Sequence, residues 1–131
     1  MLMSRGLLPR GEKINETFMR LGMNIFFRKE KRSTSRNVCL SLFRSHFGID
    51  PETAAYIWVR TKKKNKVYLI GSRPVHLLWG LLFMKVYSSE KVMCSMCGGV
   101  DPKTFRKWSK IFVKEIGFYC SEEVSVFIFT D

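Results

Sequence analysis

The chain has 131 residues, of which 46% are hydrophobic and 14% aromatic; this composition suits one folded domain and excludes a disordered chain or two full-sized domains. Its formal net charge is +12 at pH 7, since 23 Lys and Arg side chains face only 11 Asp and Glu. This imbalance predicts a polyanionic partner, with nucleic acid first and an anionic membrane surface second.

The N-terminal region, residues 1–36, is predicted to be a flexible basic lead that contains one helix. This helix covers NETFMRLGMNIFF, residues 15–27, with Asn15 as its N-cap. The charged segment RKEKRSTSR, residues 28–36, then links it to the folded domain. The first 13 residues lack the long apolar core of a secretory signal, so the four cysteines are expected to be free thiols in an intracellular setting.

The folded domain is predicted over residues 37–117 as a small all-α domain. Asp50-Pro51 and Asp101-Pro102 each place a capping side chain just before a proline at the first helical position. Helices are expected at 37–48, 51–62, 74–87, 89–97 and 102–117, with a basic loop at 61–73 that includes one short strand at 67–70.

Two segments repeat one pattern, Gly-apolar-Asp-Pro-x-Thr, within residues 47–53 and 98–104. In each, the glycine is expected to end one helix in the left-handed conformation, and the Asp-Pro pair starts the next. We therefore predict two helix-turn-helix-like units, bridged by the apolar helix that begins at Pro74. That helix is interrupted by Lys85 and is shorter than the about 20 residues that span a bilayer, so we predict that it is buried and that no membrane is a partner.

The last predicted helix separates its charged residues from its apolar ones. At about 100° per residue, one stripe holds Lys103, Arg106, Lys107, Lys110 and Lys114, and the opposite side holds Phe105, Trp108, Phe112 and Ile116. Its only acidic residue, Glu115, projects away from the stripe. Solvated faces usually mix charges of both signs, so the stripe favours contact with nucleic acid.

Residues early in this helix are candidates for the major groove of double-stranded DNA, where the second helix of a helix-turn-helix lies. They are Lys103, Thr104, Arg106 and Lys107. Arg106 is the candidate for a bidentate contact with guanine, because lysines mostly hold phosphate.

Other basic residues are candidates for the DNA backbone. Lys110 and Lys114 lie farther along the helix and are expected to contact phosphates. The run of Lys62, Lys63, Lys64 and Lys66 is interpreted as a second phosphate contact, a nuclear localisation signal or a solvated loop.

Cys94 and Cys97 are the candidate metal pair, because they have the spacing of zinc ligands. A structural zinc site needs four ligands, and the remaining cysteines and histidines show no paired spacing. We therefore predict buried thiols, no metal and no other cofactor. The sequence has no Gly-rich phosphate loop, HExxH motif or nucleophile elbow, so no catalytic residue is predicted.

Residues 74–116, PVHLLWGLLFMKVYSSEKVMCSMCGGVDPKTFRKWSKIFVKEI, resemble the N-terminal region of Harbinger-type DDE transposases and their domesticated relatives. The resemblance is carried by His76-Leu-Leu-Trp79, by Lys85-x-Tyr87 with Ser89-Glu90, and by Lys103-Thr-Phe-Arg-Lys-Trp108. The upstream LFRSHFGID, residues 42–50, also fits, so the resemblance covers roughly 38–117.

The resemblance implies a helical, helix-turn-helix region that recognises transposon DNA and precedes a ribonuclease-H-like domain with three metal-binding acids. The protein is expected to be nuclear. The chain is expected to stop where that domain would begin, so no enzyme is predicted. A transposon-encoded or catalytic protein is implied as a partner. Residues 118–131 are expected to be an irregular tail, as in a truncation product. The alternatives are a protein-interaction module and a non-functional transposase fragment.

Overall fold

The computed structural model describes residues 13–26, 35–86 and 89–129, of which 26 and 122–129 are described by their backbone alone. Across these ranges the chain forms six α-helices and no strand. The helices are α1 (Ile14–Phe26), α2 (Arg36–Phe47), α3 (Pro51–Lys63), α4 (Pro74–Val86), α5 (Glu90–Met96) and α6 (Pro102–Phe129). The predicted all-α class is confirmed.

Helices α2 and α3 meet at the first of the two predicted corners. Gly48 ends α2 with φ at 82°, and its N–H donates to the Arg44 carbonyl oxygen at 2.8 Å. Pro51 begins α3, as predicted. Asp50 precedes it, but its carboxylate accepts a hydrogen bond from Arg44 Nε and caps no backbone N–H. The acid therefore connects the two helices across the corner.

Helices α5 and α6 meet at the second corner. Gly98 and Gly99 have φ of 97° and 79°, a backbone conformation that side chains with a Cβ rarely adopt. The Gly99 N–H donates to the Cys94 carbonyl oxygen at 2.8 Å, which closes the end of α5. Asp101 then caps α6, because its carboxylate accepts from two first-turn backbone N–H groups at 3.1 and 3.2 Å. Both helices therefore begin at the predicted prolines, but the predicted side-chain cap at Asp50 is wrong, and of the two acids Asp101 alone caps its helix.

Helix α4 is the buried bridge of the fold. Every residue from 76 to 82 is buried, and α4 packs most extensively against α6. The two helices approach closely at Gly80, where an added Cβ would lie 3.0 Å from Phe112 Cβ and 3.3 Å from the Val113 nitrogen. The prediction that the apolar helix beginning at Pro74 is buried is therefore correct. Helix α4 also contacts α1, α2 and α3, so all of these helices share one hydrophobic core.

Two further local predictions, one in the N-terminal region and one after α3, are wrong. Helix α1 begins at Ile14, and the Thr17 N–H already donates to the Lys13 carbonyl oxygen at 3.0 Å, so Asn15 lies inside the helix. The segment predicted as a strand at 67–70 contains a 3-10 turn, because no described strand is there to pair with it. The predicted lead at 1–12 and most of the predicted linker, residues 28–34, lie outside the described residues.

Helix α6 is 28 residues long and continues to Phe129. The predictions of a helix end at 117 and of an irregular tail from 118 are therefore wrong. Residues 124–129 favour a strand by composition, but a strand needs a neighbouring strand to satisfy its backbone groups, whereas a helix satisfies them within itself. Gly117 does not end the helix, because it keeps helical backbone geometry.

Candidate nucleic-acid interface

Helix α6 carries a one-sided basic surface, which we call the α6 ridge. Its five residues are all exposed: Lys103, Arg106, Lys107, Lys110 and Lys114. The four residues predicted to lie opposite are all buried: Phe105, Trp108, Phe112 and Ile116. The predicted division of this helix into a basic side and an apolar side is therefore present, and Thr104 is exposed beside the ridge.

Three aromatic contacts hold the apolar side of α6 against the rest of the domain. Trp108 stacks on His76, with ring centroids 4.4 Å apart, and Phe105 lies 5.7 Å from Trp79 on the same helix α4. Farther along, Phe112 stacks on Trp58 of α3 at 6.0 Å. Because these contacts come from two different helices, they fix the rotation of α6 about its own axis.

His76 is a neutral core residue in this arrangement. Its Nδ1 accepts a hydrogen bond from the Arg73 backbone N–H at 2.9 Å. Burial, together with the nearby positive charges of Arg73 and Lys107, lowers the pKa of His76 from 6.5 to about 4. His76 is therefore uncharged at neutral pH and places no positive charge beneath the ridge.

Arg106 is held by an acidic residue that sequence analysis did not identify as a partner. Its Nε donates to Glu90 Oε2 at 2.8 Å and its Nη2 donates to Glu90 Oε1 at 2.7 Å. This hydrogen bonding lowers the pKa of the Glu90 carboxyl and raises that of the Arg106 guanidinium, so both groups are charged at neutral pH. The guanidinium predicted to contact guanine is thus partly engaged within the protein.

The lysines of the ridge have fewer contacts. Lys107 Nζ lies 4.6 Å from the centroid of the Trp108 ring, in a cation–π arrangement. The side chains of Lys103, Lys110 and Lys114 make no ion pair with any described residue. These ammonium groups therefore extend from α6 into solvent.

The second predicted basic cluster is only partly exposed. Lys64 Nζ donates to Glu115 Oε1 at 2.7 Å, and Tyr68 Oη donates to Glu115 Oε2 at 2.7 Å. Lys62 Nζ donates to the Ser72 hydroxyl at 3.2 Å and lies over the ring of Trp58. Both ammonium groups therefore help to hold the α3–α4 connection in place, and the contact of Lys62 and Lys64 with phosphate stays a prediction.

Lys63 remains exposed at the end of α3. The Lys64 ion pair joins the α3–α4 connection to the second half of α6, where Glu115 is 2% exposed. The connection therefore flanks the ridge near Lys114, far from the groove-facing candidates at the start of α6. Of the lysines in this run, Lys63 and Lys66 are exposed and can add to the basic surface.

The candidate zinc pair does not form a ligand cluster. Cys94 is buried and Cys97 half-buried, and the described part of the chain holds no group of three or more His, Cys, Asp or Glu residues suited to a metal ion. Burial raises the pKa of the Cys94 thiol, which keeps it protonated and a poor ligand. Among the described helices, none is long and apolar enough to cross a membrane.

Comparisons with known proteins give no family for this chain. A scan against protein-family models, a search of curated proteins and a search of solved structures each find no match. The resemblance to Harbinger-type transposases therefore stays a hypothesis that rests on the residues quoted above.

Proposed function

We propose that this protein binds double-stranded DNA, with α5 and α6 as its helix-turn-helix and the α6 ridge as its contact surface. The observation that carries the proposal is the one-sided charge of residues 102–121 of α6. Between residues 102 and 121 every charged side chain at the surface is basic, and the single acid, Glu115, is buried. A solvated helix without a polyanionic partner usually mixes charges of both signs.

The shape of the corner supports the same proposal. A short first helix, a tight glycine turn and a longer second helix are the parts of a helix-turn-helix, whose second helix enters the major groove with its N-terminal residues. Here α5 has seven residues, and the ridge begins in the first turn of α6 with Lys103. On this proposal the early residues of α6 reach base edges or phosphates at the groove, and later ones contact the DNA backbone. The early residues are Lys103, Thr104, Arg106 and Lys107, and the later ones are Lys110 and Lys114.

The proposal extends to origin and location. We propose a nuclear protein that derives from the DNA-binding region of a Harbinger-type transposase, on the basis of the resemblance over residues 38–117. A catalytic or transposon-encoded protein would then be its natural partner, because DNA recognition and strand transfer belong to separate regions in that family.

The salt dependence of binding to a fluorescently labelled DNA duplex tests this function. Four ridge lysines that contact phosphate, Lys103, Lys107, Lys110 and Lys114, predict a slope of log affinity against log salt of about −3.6. Affinity for the duplex should therefore fall roughly 100-fold between about 50 and 200 mM salt. A single strand of the same length is the control and should bind more weakly. Affinity that does not change with salt would instead favour a protein-interaction module.

A further inference from the structure

We infer that Glu90 is a specificity-determining residue, which orients Arg106 toward guanine and withholds it from phosphate. The inference rests on the proposed function and deepens it. It concerns one residue on α5 and one on α6, and both lie outside the apolar core of the domain.

The geometry of the pair leaves one edge of the guanidinium available. Glu90 occupies the edge formed by Nε and Nη2, through two hydrogen bonds of 2.8 and 2.7 Å. The opposite edge still presents N–H groups of Nη1 and Nη2, which are two parallel donors. Guanine offers two acceptors, O6 and N7, in the major groove, and two parallel donors match them. Arg106 can therefore hold Glu90 and guanine at the same time.

The position of the pair suits this role. Glu90 is the first residue of α5 and Arg106 lies in the second turn of α6, so the pair crosses the corner of the helix-turn-helix. The side chains remain 48% exposed for Arg106 and 38% exposed for Glu90, which leaves the guanidinium accessible from outside. A bidentate carboxylate also removes much of the rotational freedom of a long side chain, and this loss then need not occur on DNA binding.

The charge of the pair separates base recognition from phosphate binding. A phosphate that bound Arg106 would lie close to the negatively charged carboxylate of Glu90, and the two like charges would repel each other. Guanine carries no net charge, so the carboxylate does not exclude it. Arg106 is then expected to add to sequence preference and little to salt dependence. Lys103 and Lys114, which lack an ion-pair partner within the described residues, are expected to add to salt dependence and little to sequence preference.

The test uses the full chain and a library of DNA duplexes with a random centre of about 20 base pairs. Rounds of binding and amplification yield an enriched duplex, and a shuffled duplex of equal composition serves as its reference. We expect guanine at an enriched position. In Glu90→Gln the ratio of the two affinities should fall about fivefold or more, because a well-oriented bidentate contact discriminates by about that factor at least.

The same variant should gain non-specific affinity. Once the carboxylate is neutral, Arg106 is able to bind phosphate, so the slope of log affinity against log salt on the shuffled duplex should steepen by about 0.9. Glu52→Gln is the matched control, since Glu52 is an exposed acid in the first turn of α3 and its loss changes the net charge equally. Arg106→Lys should lower the affinity ratio too, because lysine lacks the planar fork.

The outcomes separate the inference from the proposed function. If the wild-type chain binds no duplex, both are wrong. If it binds duplexes without enriching any base, or if Glu90→Gln keeps the wild-type affinity ratio and salt slope, the inference is overturned and the proposed function stands. If Glu52→Gln changes the affinity ratio and the salt slope as much as Glu90→Gln does, the inference is also overturned, because the effect is then one of net charge alone. A helical circular dichroism spectrum equal to wild type shows that the variants are folded.

Discussion

The imidazole of His76 lies flat against the indole of Trp108, with ring planes 3° apart and centroids separated by 4.4 Å. His76 belongs to the bridging helix α4 and Trp108 to α6, so this stack joins the core to the helix that carries the ridge. Lys107 of the ridge lies over the same indole. The direction in which the ridge faces therefore depends on a contact inside the protein.

The buried imidazole should make stability depend on pH. The pKa of His76 is about 4 in the folded protein and its ordinary value is 6.5, so the unfolded chain binds the proton more tightly between these limits. The contribution of neutral His76 to the free energy of unfolding is complete above about pH 6.5 and should be lost progressively as the pH falls toward 4. Urea unfolding at several pH values measures this loss.

The variant His76→Gln isolates the contribution of this residue. Glutamine keeps an acceptor for the Arg73 N–H but does not titrate, so the decline in unfolding free energy below pH 6.5 should be smaller in the variant. If the two proteins lose stability in parallel across this range, His76 is not the group responsible.

The close approach of α4 and α6 predicts opposite effects for two glycines. Gly80→Ala places a methyl group 3.0 Å from Phe112 Cβ and against the Val113 backbone, and should lower the free energy of unfolding by about 1–3 kcal/mol. Gly117→Ala is the control, since its Cβ would meet nothing within 4 Å, and it should raise the free energy of unfolding by about 0.5–1 kcal/mol. Equal effects at both positions, measured by urea unfolding, would contradict the helix contact.

The buried carboxylate of Glu115 should stabilise the α3–α4 connection. Glu115→Ala leaves Lys64 and Tyr68 without their acceptor, and Lys64 can regain solvent because its side chain is 31% exposed. We therefore expect a loss of about 1–3 kcal/mol in the free energy of unfolding. Tyr68→Phe keeps the ion pair and removes a single hydrogen bond, so its loss should be smaller, at about 0.5–1.5 kcal/mol. A larger loss from Tyr68→Phe than from Glu115→Ala would be inconsistent with this network.

The helix starts and faces were predictable from the sequence, because their causes are local. A glycine shortly before Asp-Pro sets the end of one helix and the start of the next within a few residues, and both corners lie where predicted, although Asp50 does not cap α3. The burial of Trp108 and the exposure of Lys103 follow from the periodicity of α6. The apolar run after Pro74 likewise specified a buried helix.

The partners of the charged residues were not predictable, because they depend on packing between distant elements. Glu90 and Arg106 are 16 residues apart, and Glu115 and Lys64 are 51 apart. The helical periodicity shows that Glu115 lies off the ridge, but it does not show that Lys64 forms an ion pair with it. For the Glu90–Arg106 pair, the sequence showed an acid at the start of α5 and an arginine early in α6, but not that the two side chains are in contact.

The proposed function requires that DNA contacts the α6 ridge. The most direct test is the affinity for a duplex of a variant with Lys103, Lys110 and Lys114 all changed to Glu, compared with a variant that changes Lys13, Arg36 and Lys85 to Glu. All six side chains are exposed, and the two variants have equal net charge. We predict that the ridge variant loses duplex binding at about 100 mM salt with unchanged helical content, while the control keeps most of it. Equal losses of affinity in the two variants would contradict the claim.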